Sequence, residues 1–186
     1  AMFFSGSAEL AFAYWSASYI QLHFNALPRA GAFGAAAFAV GMIAGRFLAS
    51  RLARKTSLKK IITLSSLTGF IVSFGFFLIT TPAVIYIYLF VMGLFVACLW
   101  PSIQSYSAQV IKVDSTALMV FLSCFGIPGA SVAILVMGII GDHYGLRAAY
   151  IAAPAFLLLV VLFMLAEGRA GRLSAGPLQD PVREAE

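Results

Sequence analysis

The sequence predicts an all-α membrane protein with six transmembrane helices. Its 186 residues are 62% hydrophobic and only 10% charged, whereas a soluble domain is about half apolar and about a quarter charged. A chain of this length cannot enclose so much apolar surface in one core, so most of that surface must face lipid. Six apolar runs and an uneven distribution of Lys and Arg between them support the same conclusion.

The apolar runs have the length that a bilayer requires. A membrane-crossing helix needs about 20 mostly apolar residues, and the breaks between the runs carry turn-forming residues such as Gly, Pro and Asn. After Glu167 the sequence becomes polar, so we predict a disordered cytoplasmic tail over residues 168–186. The predicted membrane domain covers residues 1–167, with spans at about 2–24, 32–53, 61–80, 83–106, 116–141 and 148–166.

The basic residues predict the orientation of these spans. Of the 12 Lys and Arg residues, all except Arg29 and Arg147 fall on one side of the predicted membrane. Short loops rich in Lys and Arg face the cytoplasm, so both ends of the chain are expected there, in a bacterial inner (plasma) membrane. The net charge of +5 does not indicate a nucleic-acid partner, because the basic residues lie in short gaps without interleaved stacking aromatics.

Small residues recur every four positions in the second span, just before a basic run. Ala37, Gly41, Gly45 and Ala49 share one helix face, and such a face lets two helix backbones approach closely in lipid. Arg46 lies within this segment, and the basic stretch "RLARKTSLKK" follows it. Generic helix packing and a gating motif remain the two interpretations of this pattern.

The whole arrangement resembles a signature of the major facilitator superfamily. "GMIAGRFLASRLARK" is similar to the loop motif of the second half, with Gly41 and Arg46 retained and Gly45 where the stronger copy has Asp. "GIIGDHYGLRAAY", which includes Asp142, resembles the junction between the last two helices. "SGSAELAFAYWSASYI" resembles the seventh helix of fucose-permease-like sugar symporters. The resemblance implies the C-terminal half of a twelve-helix fold, with a six-helix N-terminal half before Ala1.

The resemblance also implies a function. Members move small solutes by alternating access, so we expect secondary active transport of a sugar or similar metabolite, with protons as the coupling ion. An efflux antiporter for a drug or metabolite and a self-assembling six-helix channel or scaffold are the alternatives. We expect no enzyme, cofactor or metal, because the two His residues lie near span ends and no nucleophile motif or metal-ligand spacing is present.

A polar face on the first span contains the strongest candidate for transport chemistry. Ser5, Glu9, Phe12, Ser16 and His23 fall within a sector of about 60° on a helix. Ionisable groups inside a membrane are costly and usually functional. We expect this face to line a water-filled cavity, with Glu9 as a proton or substrate site. Hydration near the cytoplasmic end, or structural pairing, is the alternative for Glu9.

The fourth span carries a second face, which combines aromatic rings with an amide. Trp100 and Gln104 lie on it together with Tyr86. Rings stack on the C–H faces of sugars and amides bond hydroxyls, although Tyr and Trp also mark membrane interfaces. Trp100 and Gln104 are therefore candidate substrate residues, together with Trp15 and Tyr19, which fall on the first-helix pattern of the sugar symporters.

Two prolines predict bends in the helices. Pro101 follows Trp100, and Pro128 lies in the fifth span. Because proline removes a backbone donor, both positions are expected to bend their helices. Pro128 is a candidate gate, and a static kink would explain it equally well. Asp142 is expected to cap or tie the outer turn.

Overall fold

The structure, a computed structural model, describes residues 1–111 and 113–174, and this part of the chain is helical and contains no strand. A 3₁₀ helix covers Phe74–Leu78. The α-helices are α1 Met2–His23, α2 Pro28–Leu52, α3 Leu58–Ser73, α4 Pro82–Val96, α5 Leu99–Val110, α6 Ser115–Tyr144, α7 Leu146–Ala149 and α8 Ala152–Ser174.

These elements form six helical spans, which confirms the predicted all-α fold class. Five segments are long and apolar enough to cross a membrane, namely Pro28–Leu52, Leu58–Leu78, Pro82–Val110, Ser115–Tyr144 and Leu146–Gly168. The remaining span, α1, which is the first along the chain, is more polar because it carries Glu9 and several serines. It packs against α2, α4, α5, α6, α7 and α8, so its surroundings are largely protein. We call the end of the bundle where α1 begins the inner end, and the opposite end the outer end.

The fourth predicted span is interrupted. α4 ends at Val96 and α5 begins at Leu99, with a turn at Ala97 and Cys98 between them. Pro101 has no N–H to donate to the carbonyl of Ala97, four residues earlier, which accounts for the break. α6, in contrast, continues past Pro128 from Ser115 to Tyr144.

The end of the sixth span differs from the predicted boundary. Gly145 has a φ of 83°, a conformation that glycine adopts readily, and it separates α6 from the short α7. α8 then continues to Ser174, into the segment that we expected to be disordered. Residues 175–186 of the predicted tail lie outside the described residues.

The small-residue face of α2 forms a tight seam with α4. A β-carbon on Gly41 would overlap the carbonyl oxygen of Phe90, and one on Gly45 would lie 2.5 Å from the carbonyl oxygen of Leu94. From the other side, a β-carbon on Gly93 would overlap the carbonyl oxygen of Phe38. The packing interpretation of this face therefore has direct structural support, and its role in gating stays a prediction.

An aromatic cluster holds the outer half of α1 in place. Phe12 and Tyr19 of α1 contact Tyr150, which precedes α8, at ring-centroid distances of 5.9 and 5.4 Å. Phe76 stacks on Tyr150 at 4.0 Å, and the Tyr88 hydroxyl donates to the carbonyl of Ser73 at 3.1 Å. This cluster sets the rotation of α1, and so decides which of its residues face neighbouring helices and which face open space.

Candidate functional site

A cavity of about 480 Å³ lies toward the inner half of the bundle, between α1, α2, α5 and α6. Its polar or aromatic lining residues are Glu9, Arg46, Trp100 and Ser131, and the rest of its wall is aliphatic. We call it the inner cavity. It brings together one acid, one base and one indole ring that lie far apart in the sequence.

Glu9 and Arg46 form an ion pair across this cavity. The Nη2 atom of Arg46 lies 3.6 Å from the Oε1 atom of Glu9, and the side chains are 56% and 15% exposed, respectively. Glu9 follows the start of α1 by about two turns, and Arg46 precedes the end of α2 by about two turns. Since consecutive spans are antiparallel, both residues reach the same depth. This pairing was not predicted, although the matching depth of the two residues is visible in the sequence.

Trp100 forms one wall of the inner cavity and also packs between helices. A β-carbon on Gly126 would overlap the Trp100 ring, and one on Gly6 would lie 3.2 Å from its Cζ3 atom. The side chain of Trp100 therefore packs between α1 and α6. Gln104 does not line this cavity; its amide donates to the Ser123 hydroxyl at 3.2 Å and ties α5 to α6.

Only part of the α1 face that was predicted to line a cavity does so, because helix packing buries the rest. Ser5, Phe12 and Ser16 are buried, at 1%, 0% and 1% exposure, because the aromatic cluster and the neighbouring helices cover them. Ser5 donates its hydroxyl to the carbonyl of Met2 at 2.9 Å, a common way to satisfy serine inside a helix. Of this face, only Glu9 at the inner cavity and His23 at the outer end reach open space.

A second cavity, of about 390 Å³, lies at the outer end, and we call it the outer cavity. Trp15, Tyr19 and His23 of α1 line it at four-residue intervals, facing Asp142 of α6 and Arg147 of α7. Trp15, Tyr19 and Asp142 were expected to be functional, but their meeting at one cavity was not predicted. Arg147 was not predicted as a site residue, and its position beside a helix junction is the signal that the sequence offers for it.

Several contacts shape the outer cavity. The rings of Tyr19 and His23 stack with centroids 4.8 Å apart. A β-carbon on Gly138 would lie 3.4 Å from the Cζ2 atom of Trp15. The indole ring of Trp15 therefore packs against α6 at Gly138. Arg147 donates through Nη2 to the carbonyl of Phe77 at 2.6 Å, which holds the 3₁₀ helix against α7.

A third polar cluster lies at the inner end, outside both cavities. Lys59 of α3 forms an ion pair with Glu167 of α8, and Tyr106 of α5 donates its hydroxyl to the other carboxylate oxygen at 2.9 Å. Sequence reasoning did not find this cluster, because its members belong to three different spans. Among the described residues, no group of three or more His, Cys, Asp or Glu could hold a metal ion.

Comparison with known proteins agrees with this architecture. A search of curated proteins finds no match. The family model described as Major Facilitator Superfamily matches residues 1–183, which includes all six helical spans. The all-α arrangement is that of one half of a twelve-helix transporter of this type. The chain therefore belongs to the major facilitator superfamily.

Proposed function

We propose that the protein is a proton-coupled secondary transporter of a small solute, with Glu9 as its proton-binding group. The family supports membrane transport of small solutes, and its members are generally not enzymes. The observation that carries the finer proposal is the Glu9–Arg46 pair on the wall of the inner cavity.

The pair can couple protonation to helix contacts. A charged group in a membrane is costly unless it is paired or hydrated, so ionised Glu9 favours the conformation in which Arg46 is close. Protonation of Glu9 removes that attraction and leaves Arg46 free to find another partner. A ligand shifts a conformational equilibrium only if it binds the two states differently, and a proton on Glu9 meets that condition.

The inner cavity suits a sugar or a similar metabolite. Trp100 offers a ring face, Ser131 offers a hydroxyl, and Glu9 and Arg46 offer an acceptor and a donor. Small-molecule sites typically combine apolar walls with a few polar groups of this kind. In the proposal, alternating access is provided by movement at the Gly41–Gly45 seam and around Pro128.

The proposed setting is the bacterial inner membrane. The excess of Lys and Arg on one side supports cytoplasmic ends for this chain. A second six-helix half would complete the walls of the cavity and is the expected partner, together with the lipid bilayer.

Transport in proteoliposomes tests the proposal. The full-length protein is reconstituted and supplied with radiolabelled D-glucose, D-galactose and L-fucose, with the interior made alkaline. We expect accumulation that collapses at least tenfold in Glu9→Gln, whereas exchange of labelled for unlabelled sugar at equal pH persists, because exchange needs no net proton movement. Glu167→Gln is the matched control, since that carboxylate lies outside both cavities.

The outcomes separate the alternatives. Accumulation by Glu9→Gln equal to that of the unmodified protein would overturn the coupling role of Glu9. Expulsion of solute under the same gradient would indicate an antiporter, and non-saturating flux would indicate a channel. Absence of transport for every sugar tested would overturn the sugar assignment.

A further inference from the structure

An apolar groove opens on the surface between α2 and α3, toward the inner end of the bundle. It has a volume of about 320 Å³, and α4 and the turn that follows it form its floor. We call it the lateral groove and define it by the wall residues between 45 and 52 of α2 and between 61 and 68 of α3. Leu48, Leu52 and Leu64 on its walls are exposed, at 56%, 43% and 57%. The described part of the chain therefore leaves this concave apolar surface uncovered.

Small residues of α2 account for the lateral groove. Gly45 packs directly on α4, where an added β-carbon would lie 2.5 Å from the carbonyl oxygen of Leu94. α3 packs against α4 as well, so α2 and α3 lie on the same helix with a space between them. Gly45 and Ala49 border this space, and their side chains are too small to fill it. The close approach that holds α2 on α4 thus leaves an open groove beside it.

The lateral groove faces away from the inner cavity. On α2, Arg46 lines the inner cavity, whereas Leu48 lines the lateral groove. Two positions along a helix correspond to a rotation of about 200°, so these two residues lie on nearly opposite sides of α2. The proposed second six-helix half would complete the walls of the inner cavity and would therefore lie on the Arg46 side. The lateral groove then faces the bilayer, where lipid is the available neighbour.

Positive charge surrounds the inner mouth of the groove. Its innermost wall residues are Leu52 and Ile61, and residues 53–60 connect them directly. The stretch from 51 to 61 contains no Asp or Glu and five basic residues, namely Arg51, Arg54, Lys55, Lys59 and Lys60. Lys59 pairs with Glu167. The other four form no ion pair with an acid among the described residues.

Two of these four residues lie at the edges of the groove. Arg51 and Lys60 each immediately precede a wall residue in the sequence, and both are exposed. The Cζ atom of Arg51 lies 4.4 Å from the centroid of the Phe47 ring, which holds this charge beside exposed apolar surface. Clusters of roughly four to eight basic residues next to a membrane span typically bind anionic lipids. A molecule with an anionic head and an apolar tail matches both the mouth and the groove.

We propose that the lateral groove binds one anionic phospholipid. Arg51 and Lys60 hold its phosphate, and one acyl chain runs along the groove toward Gly45 and Thr68. The groove follows each helix for about 10 Å, at 1.5 Å per residue, which accommodates the part of the chain nearest the head group. This site depends neither on the transported solute nor on the coupling ion, so it stands or falls apart from the proposed function.

Native mass spectrometry of the full-length protein tests the proposal, because it counts bound lipids. The protein is purified in a neutral detergent and titrated with palmitoyl-oleoyl phosphatidylglycerol or with phosphatidylcholine of the same chains, which carries no net charge. We expect one saturable site that prefers phosphatidylglycerol by about tenfold or more, as two basic residues near an anionic head group would give. Equal affinity for the two lipids would overturn the proposal.

Free anions distinguish a lipid site from a phosphate site. Inorganic phosphate and glycerol phosphate supply the charge of the head group without its chains. Neither should displace the bound phosphatidylglycerol at a concentration equal to that of the lipid, because neither can fill the apolar groove. Displacement by either anion would assign the site to a free phosphate and would overturn the lipid proposal.

Two neighbouring lysines form a matched pair for the charge. Lys60→Gln should weaken phosphatidylglycerol binding by roughly fivefold, the equivalent of about 1 kcal/mol for one basic residue near an anionic surface, and Arg51→Gln should do the same. Lys59→Gln should leave the affinity nearly unchanged, because Lys59 is paired with Glu167. Equal losses in Lys59→Gln and Lys60→Gln would mean a diffuse electrostatic attraction and would overturn the site.

Filling the groove tests the place of the acyl chain. Ser65→Leu adds bulk to the groove wall, whereas Thr63→Leu adds similar bulk to the same helix at a position that does not line the groove. Phosphatidylglycerol binding should weaken in Ser65→Leu alone. Unchanged binding in Ser65→Leu would overturn the proposal. Absence of bound lipid from the full-length protein would mean that another part of that protein covers the groove, and would overturn it as well.

Discussion

The two cavities along α1 differ in whether their polar groups have partners within the protein. In the inner cavity, Glu9 and Arg46 pair with each other at 3.6 Å. Beside the outer cavity, the buried atoms Trp15 Nε1 and Tyr19 OH have no hydrogen-bond partner in the described part of the chain. The charges of the inner cavity are thus paired with each other, whereas Asp142 and Arg147 of the outer cavity, both described residues, form no ion pair.

The proposed proton coupling concerns only the paired charges of the inner cavity. A charge pair that responds to a proton can bias a conformational change. α1 carries both sets of residues on one continuous helix. A movement of that helix therefore affects both cavities together, while their chemistry stays distinct.

The largest expected contrast comes from two glycines of α6 that lie under the two tryptophans. Gly126→Ala should destabilise the protein by about 1–3 kcal/mol through overpacking, because the new methyl group would overlap the Trp100 ring. Gly138→Ala should be neutral or slightly stabilising, since its methyl group would meet Trp15 at 3.4 Å and alanine favours a helix interior. Thermal unfolding in nanodiscs measures both effects. Equal stability of the two variants would remove the distinction between a tight inner wall and a loose outer one.

A smaller contrast concerns electrostatic coupling in the two cavities. In a double-mutant cycle, Glu9→Gln and Arg46→Gln should show a coupling energy of about 0.5–1 kcal/mol in unfolding, a low value because the Arg46 side chain is 56% exposed. Asp142 and Arg147, both in the described part of the chain, form no ion pair. Their cycle should be additive within about 0.3–0.5 kcal/mol.

The result of either double-mutant cycle can contradict this difference between the two cavities. Additive behaviour of Glu9 and Arg46 would mean that the inner pair contributes nothing as a pair. Strong coupling of Asp142 with Arg147 would mean that the outer cavity is also closed by its own charges. Its polar groups would then offer less to a ligand.

The smallest effect is expected at the ion pair outside both cavities. Lys59 and Glu167 have side chains that are 33% and 42% exposed, so Lys59→Gln should cost about 0–1 kcal/mol. High salt should remove most of that difference, because solvent screens exposed charges. Unfolding of both proteins at low and high salt provides the measurement. A salt-independent loss comparable to that of Gly126→Ala would show that this cluster supports the fold as strongly as the inner cavity wall.

The sequence alone predicted the fold class and the family. These properties follow from the bilayer, which requires each span to be long, apolar and internally hydrogen-bonded, and such requirements are visible residue by residue. Pro101 also predicted a bend in the fourth span, which the structure instead shows as a break at Ala97 and Cys98. The sequence also drew attention to Glu9, Trp15, Tyr19, Trp100 and Asp142 as unusual residues within or beside apolar runs.

Only the tertiary structure decided how these residues combine. The depth and rotation of neighbouring helices placed Arg46 beside Glu9, buried Ser16, and committed Gln104 to Ser123. Helical periodicity states which residues share a face but not what that face meets. Contacts between helices depend on close packing at a few small residues, such as Gly126 under Trp100. The chemistry of the individual residues was therefore determined by the sequence, whereas their assembly into two cavities, each lined by one acid and one base, was determined by helix packing.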